Sequence, residues 1–192
     1  ALPILPGARP HYTPDRPAHL QHIALDLALD LEQRTCQGTC TLTLRPIREG
    51  LQRLTLDAVN QQIQAVTVAG QPQGFDYDGE HLQVSLSTPP SGDQPLEVTI
   101  TYRLEQPQRG LYFIGPDQDY PTKPLQVWTQ GEDEDSRYWF PGLDYPGQLV
   151  TSEIRVRVPQ PYQAIANGEL VSQATLDHST TYHWHQGQPH PP

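Results

Sequence analysis

Residues 128–146 concentrate the groups that could do chemistry. The run Trp128-Thr129-Gln130-Gly131-Glu132-Asp133-Glu134-Asp135-Ser136-Arg137-Tyr138-Trp139-Phe140-Pro141-Gly142-Leu143-Asp144-Tyr145-Pro146 holds two of the three tryptophans, four consecutive acids and an arginine. Read as an extended segment through Glu132, it points Gln130 and Glu132 to one side, with the small Gly131 opposite. A carboxylate beside an amide suits an ammonium group: Glu supplies charge and Gln a neutral hydrogen bond. A solvated acidic strand end is the bland alternative, and these residues alone leave it open. Arg137 can pair with Asp144 or with the acidic run and fix the loop, or it can serve a domain interface. Trp128, Trp139 and Phe140 read as core or interface anchors.

Other chemistries lack their residues. The sequence has no His-Glu-x-x-His, no Gly-x-Ser-x-Gly, no Gly-x-x-x-x-Gly-Lys and no Cys-x-x-Cys. His183 and His185 share a strand face, but no third or fourth metal ligand is visible nearby, so an exposed strand face is expected. Asp117 and Asp119 lack the calcium-loop pattern around them. The expected metal set is therefore none.

The elements that must position the acidic run are strands. Ile23, Leu25, Leu27, Leu29 and Leu31 recur with period two, as do Leu42 and Leu44. Arg53–Ala58, Ile63–Val68, Leu82–Leu86, Leu96–Tyr102, Glu153–Val158 and Thr180–His185 repeat the pattern. Asp78-Gly79 marks a turn before Leu82, and Asn167-Gly168 reads as a hairpin turn. Strands come every 10 to 15 residues with no amphipathic helix between them. The expected fold is all-β, an antiparallel sandwich or large twisted sheet. Residues 1–17 carry five prolines and read as an irregular leader, which leaves 18–192 as the domain.

Bulk composition narrows the partners. The formal charge is −10, which disfavours nucleic acid and polybasic membrane contact but suits a cationic amine. No apolar run reaches the roughly 18 residues of a spanning helix. Cys36 and Cys40 lie on a predicted strand, roughly 13 Å apart at 3.4 Å per residue. That exceeds disulfide reach, so both are expected free, in keeping with a cytoplasmic setting.

Several ordered segments resemble the N-terminal domain of the M1 zinc aminopeptidases, the family of aminopeptidase N and leukotriene A4 hydrolase. They are His22–Leu27, Gly38–Leu42, Leu54–Ala58, Arg109–Tyr112, Thr129-Gln130-Gly131-Glu132, Arg137, Phe140–Pro146 and Ala164–Leu170. The chain departs from the family at Gly142, Tyr145 and Gln148, where cysteine, glutamate and lysine are usual. The resemblance implies a saddle-shaped, mostly antiparallel β-domain that docks on a catalytic domain. It implies that Gln130 and Glu132 help hold the α-amine of a peptide N-terminus. Zinc would belong to the parent's catalytic domain, with no catalytic residue or cofactor in this chain. The missing initiator methionine and the His190-Pro191-Pro192 end fit an isolated N-terminal domain. A non-catalytic M1-like scaffold for protein contacts is the rival reading. A β-sandwich adhesion or carbohydrate-binding module is a third, and it would call for secretion, disulfides and exposed aromatic platforms.

Overall fold

The computed structural model describes residues 15–47, 49–90 and 94–192. Thirteen strands form among them: β1 (Ala18–Asp30), β2 (Thr35–Pro46), β3 (Arg53–Asp57), β4 (Gln62–Val68), β5 (Gln71–Pro72), β6 (Phe75–Tyr77), β7 (His81–Ser85), β8 (Leu96–Glu105), β9 (Leu111–Ile114), β10 (Gln126–Thr129), β11 (Val150–Pro159), β12 (Glu169–Leu176) and β13 (Ser179–His190). The one helical element among the described residues is a 3-10 turn, Ser136–Tyr138. No helix there is long and apolar enough to cross a membrane. Most of the expected leader, residues 1–14, lies outside the described residues.

Eight strands build the main sheet in the order β12-β13-β11-β1-β2-β8-β4-β5. Its pairs are antiparallel except β1 with β11, which run parallel from His22–Thr151 to Ala28–Arg157. Two smaller sheets complete the fold, β3-β7-β6 and β9-β10. Period-two alternation puts Ile23, Leu25 and Leu27, then Leu42 and Leu44, then Val98 and Ile100 on one buried face. Leu54, Leu56, Leu82 and Val84 of the three-stranded sheet join that same core. Each fully buried leucine contributes about 1.5–3 kcal/mol relative to exposure. Gly38 is required where β1 and β2 meet, because a Cβ there would stand 1.9 Å from the Asp26 carbonyl oxygen.

Cys36 and Cys40 are free and buried on the core face of β2. Burial pushes the Cys36 thiol up to about 12 and raises Cys40 as well. The Cys40 thiol donates to the Pro141 carbonyl at 3.3 Å, which ties β2 to the loop that follows the 3-10 turn. The thiolate is the reactive form. Native protein at pH 8 should therefore resist a thiol reagent such as DTNB and release two equivalents in denaturant. Rapid labelling of the native chain would contradict this burial.

Two local expectations are corrected. Asn167-Gly168 is not a hairpin turn: it leads into β12, and Gly168 (φ 91°) passes so close to β13 that a Cβ would lie 2.0 Å from the His185 carbonyl oxygen. The β12–β13 turn is made by Asp177 and His178, both at positive φ (45° and 65°), as a two-residue hairpin loop demands. Strand β12 itself is missing from the sequence reading. Every residue in it is exposed, so no burial pattern marks it.

Candidate functional site

The acidic run leaves the end of β10. Gln130 still pairs with the neighbouring strand, its N–H donating to the Gly110 carbonyl at 2.9 Å. The chain then turns, and Asp135 N–H returns to the Gly131 carbonyl at 2.8 Å. The extended segment is therefore shorter than the sequence suggested: strand geometry ends at Thr129 and Glu132 already belongs to a turn. A Cβ at Gly131 would meet the Ser136 hydroxyl at 2.5 Å, so a larger residue there would have to turn that hydroxyl away from the Pro192 carbonyl.

Two arginines hold this turn. Arg109 grips Asp135 with both arms of its fork, Nη2 to Oδ1 at 2.8 Å and Nε to Oδ2 at 2.9 Å. Its guanidinium also lies over the Tyr138 ring, 4.5 Å from the centroid. Arg137 donates through Nε to Asp144 Oδ2 at 3.0 Å and through Nη2 to Glu134 Oε2 at 3.0 Å. The same Nη2 reaches the Asp144 carbonyl at 2.8 Å, and Nη1 stands 3.8 Å from Asp57 Oδ1. The backbone adds Asp57 N–H to the Gly142 carbonyl at 2.7 Å and Gly142 N–H back to the Asp57 carbonyl at 2.9 Å. Arg137 thus joins the acidic loop, the Phe140–Pro146 loop and the end of β3.

Burial pushes the Asp57 and Asp144 carboxyls above the usual range, and the Arg137 charge only partly offsets it. Burial works against the Arg137 charge too, but the bond to Asp144 and the Asp57 and Glu134 charges outweigh it and raise its pKa. The pairing of Arg137 with Asp144 was one option in the sequence. Arg109 and Asp57 were not singled out, because sequence spacing carries no sign of partners 26 and 80 residues away.

With Glu134 and Asp135 engaged by arginines, Glu132 and Asp133 are exposed, and no hydrogen bond or ion pair engages their carboxylates among the described residues. Gln130 is exposed as well. The chain end reaches this loop: the Ser136 hydroxyl donates to the Pro192 carbonyl at 3.0 Å.

The aromatics divide. Phe140 is buried and meets Trp139 edge-on, 4.6 Å between centroids. Trp128 is no core anchor. It is 47% exposed and stacks on Tyr112 at 4.6 Å. Gly142, a departure from the family pattern, leaves room for a side chain, since the nearest atom to its Cβ is 3.4 Å away.

Elsewhere, the outer face of the main sheet gathers His22, Glu153, His183 and His185. His183 Nε2 and Glu153 Oε2 are 2.9 Å apart. Burial pushes Glu153 up, but the His183 bond and the Arg155 charge outweigh it and hold the carboxyl low. Burial lowers His22. Asp117 is engaged by the Tyr120 N–H at 2.7 Å and by Lys123 at 3.1 Å. Among the described residues, no group of three or more His, Cys, Asp or Glu side chains could hold a metal ion.

Comparison with known proteins bears on the fold and the family. Aminopeptidase B of Mus musculus is 27% identical over 178 residues, 80% of this chain and 27% of that protein. Transcription initiation factor TFIID subunit 2 of Gallus gallus is 23% identical over 198 residues, 81% of this chain and 17% of that protein. The chain thus spans well under a third of these relatives. In fold it is similar to an M1 zinc metallopeptidase mutant from Deinococcus radiodurans, solved with a Tyr-Ser-Ala substrate (TM-score 0.78, 23% identity, 92% of this chain and 40% of that one). Residues 10–192 match the Peptidase M1 N-terminal domain, and the chain belongs to that family.

Proposed function

We propose that this domain is the amine-anchoring part of a cytoplasmic zinc aminopeptidase that removes N-terminal residues from peptides. One observation carries the reading: Glu132 is an exposed carboxylate that no cation among the described residues pairs with, on a turn that Arg109 and Arg137 hold in place. A free α-amine, with a pKa near 7.7–8, is largely charged at neutral pH and meets Glu132 as an ammonium. Gln130 adds a neutral hydrogen bond. An internal amide offers no such charge, so the pair selects chain ends. The domain docks on a catalytic domain, and the exposed Leu149, Ile165 and Val171 are apolar surface of the kind a docking partner buries. Zinc would polarise the scissile carbonyl from the catalytic domain; among the described residues of this chain no group of side chains fits the metal.

The test is a titration of the isotopically labelled chain. Leucinamide should shift the Gln130 and Gly131 amides, N-acetyl-leucinamide should not, and Glu132→Gln should erase the difference. Equal responses to both ligands would return Glu132 to solvent. The match to a transcription-factor subunit favours a second reading, a scaffold that keeps the fold for protein contacts. Equal responses would move the balance there.

A further inference from the structure

A histidine seam crosses the outer face of the main sheet. Alternation fixes its members. With Ile23 and Leu25 of β1 buried in the core, His22, Ala24 and Asp26 face outward. Register sets Ala24 beside Glu153 of β11, and Glu153 beside His185 of β13. Asp26, Arg155 and His183 form the next row. Glu169 of β12 stands opposite His185. On the other flank, Thr43 of β2 lies opposite His22, Arg45 lies opposite His19, and Glu97 of β8 lies opposite Thr43. Strands far apart in the chain thus bring three imidazoles round one central carboxylate, Glu153.

Hydrogen bonds fix where the protons sit. The Thr151 hydroxyl donates to the Gln21 carbonyl at 3.3 Å, and its oxygen lies 2.7 Å from His22 Nδ1. A hydroxyl has a single hydrogen, so Nδ1–H donates to Oγ1 and Nε2 is left to take up a proton. His183 Nε2 donates to Glu153 Oε2 at 2.9 Å, and Arg155 Nη1 donates to Oε1 at 3.4 Å. Both oxygens of the central carboxylate are therefore engaged. Burial works against the Glu153 charge, but the His183 bond and Arg155 outweigh it, so Glu153 is ionised at neutral and mildly acid pH. Burial also works against a charge on His22. Glu153 partly offsets this, and His185, its ring 6.2 Å away, adds to it.

We propose that this seam is a proton switch on the docking of the β12–β13 hairpin: a proton taken up at His22 Nε2 loosens the ladder that joins β1, β11 and β13. A charged His22 meets a charged His185 while the carboxylate between them is already shared by His183 and Arg155. Asp26 and Glu169 stand exposed at the rim, where water screens them. The hairpin joins the sheet through β11 alone, so it is the piece that loosens. The sign follows from burial. His22 has a folded pKa below its unfolded value, so its contribution is full above about pH 6.5 and is lost as pH falls through that value toward the folded one. Asp57 and Asp144 respond with the opposite sign, since acidification relieves their buried charge.

The test is amide hydrogen exchange on the chain itself, expressed as protection relative to the free-peptide rate at each pH. Protection in β13 should fall about two- to fivefold as the histidines charge, the worth of one like-charge pair across strands, and should stay level in β4 and β8. His22→Asn keeps a donor near the Nδ1 position without a titrating nitrogen, and should remove the fall. An equal fall in β4 and β8, or a fall that persists in His22→Asn, would overturn the switch. Ring signals followed by NMR give a reading that does not depend on that variant. His22 should titrate below free histidine in the wild-type chain, and higher in His185→Gln than in wild type. A His22 curve that His185→Gln leaves unmoved would overturn the coupling on which the switch rests.

Discussion

Arg137→Ala should destabilise the chain by about 3–5 kcal/mol, the cost of leaving a buried charge without its partner. The guanidinium is 18% exposed, and it faces Asp57 at 7% and Asp144 at 4%, with Glu134 alongside. Its removal leaves these carboxylates facing one another beneath the Phe140–Pro146 loop. Arg137→Lys keeps a charge but loses the fork that serves Asp144 and Glu134 together, and should cost less. Urea unfolding at pH 7.5 measures both.

The pH dependence gives a second reading of the same variant. Asp57 and Asp144 have folded pKa values above their unfolded values, so their ionised forms cost stability. That cost is absent below the unfolded value near 3.9 and grows as pH rises through the folded one. Removing Arg137 pushes both carboxyls higher still. The deficit of Arg137→Ala should therefore be largest at neutral pH and shrink toward pH 4.5. A deficit independent of pH would mean lost packing, not an uncompensated charge.

Glu132→Ala, placed in an enzyme that joins this domain to an M1 catalytic domain, should lower kcat/KM on an aminoacyl-arylamide about 30- to 1,000-fold, the roughly 2–4 kcal/mol of a desolvated charge pair. The carboxylate is exposed in this chain, and a docked catalytic domain would remove that water and strengthen its hold on the amine. Glu132→Gln keeps an acceptor and loses the charge, and should fall between. The N-acetylated substrate should be cleaved poorly by every version, since it has no ammonium to lose. Unchanged kinetics in Glu132→Ala would make the residue a solvated acid.

Period two made most of the fold legible in the sequence. Wherever one strand face is buried, as in β1, β2 and β8, alternation in the burial reproduces alternation in the residues. It failed where neither face is buried. Strand β12 belongs to the sheet through backbone hydrogen bonds to β13, and such bonds leave no trace in side-chain type. At the site, the acidic run was visible as a composition anomaly. The division of labour within it was not. Which acids are engaged and which are exposed depends on Arg109, from the bend before β9, and Asp57, from the end of β3, both brought in by sheet topology. Trp128, read as a core or interface anchor, is not in the core: it lies half-exposed against Tyr112, a placement that residue type alone does not fix.

The parallel pairing of β1 with β11 has a consequence for synthesis. His22 and Thr151 lie side by side, 129 residues apart in the chain. At about 5–20 residues per second, β1 waits roughly 6 to 26 s on the ribosome before its second neighbour exists. Its hairpin partner β2 arrives within a few residues, so the wait is spent as half of a sheet with a long open margin. Such a margin is sticky to other nascent chains. High contact order of this kind slows folding as well. The last third of the domain is thus what closes the first strand, and a nascent chain halted before β11 would be a natural client for holding chaperones.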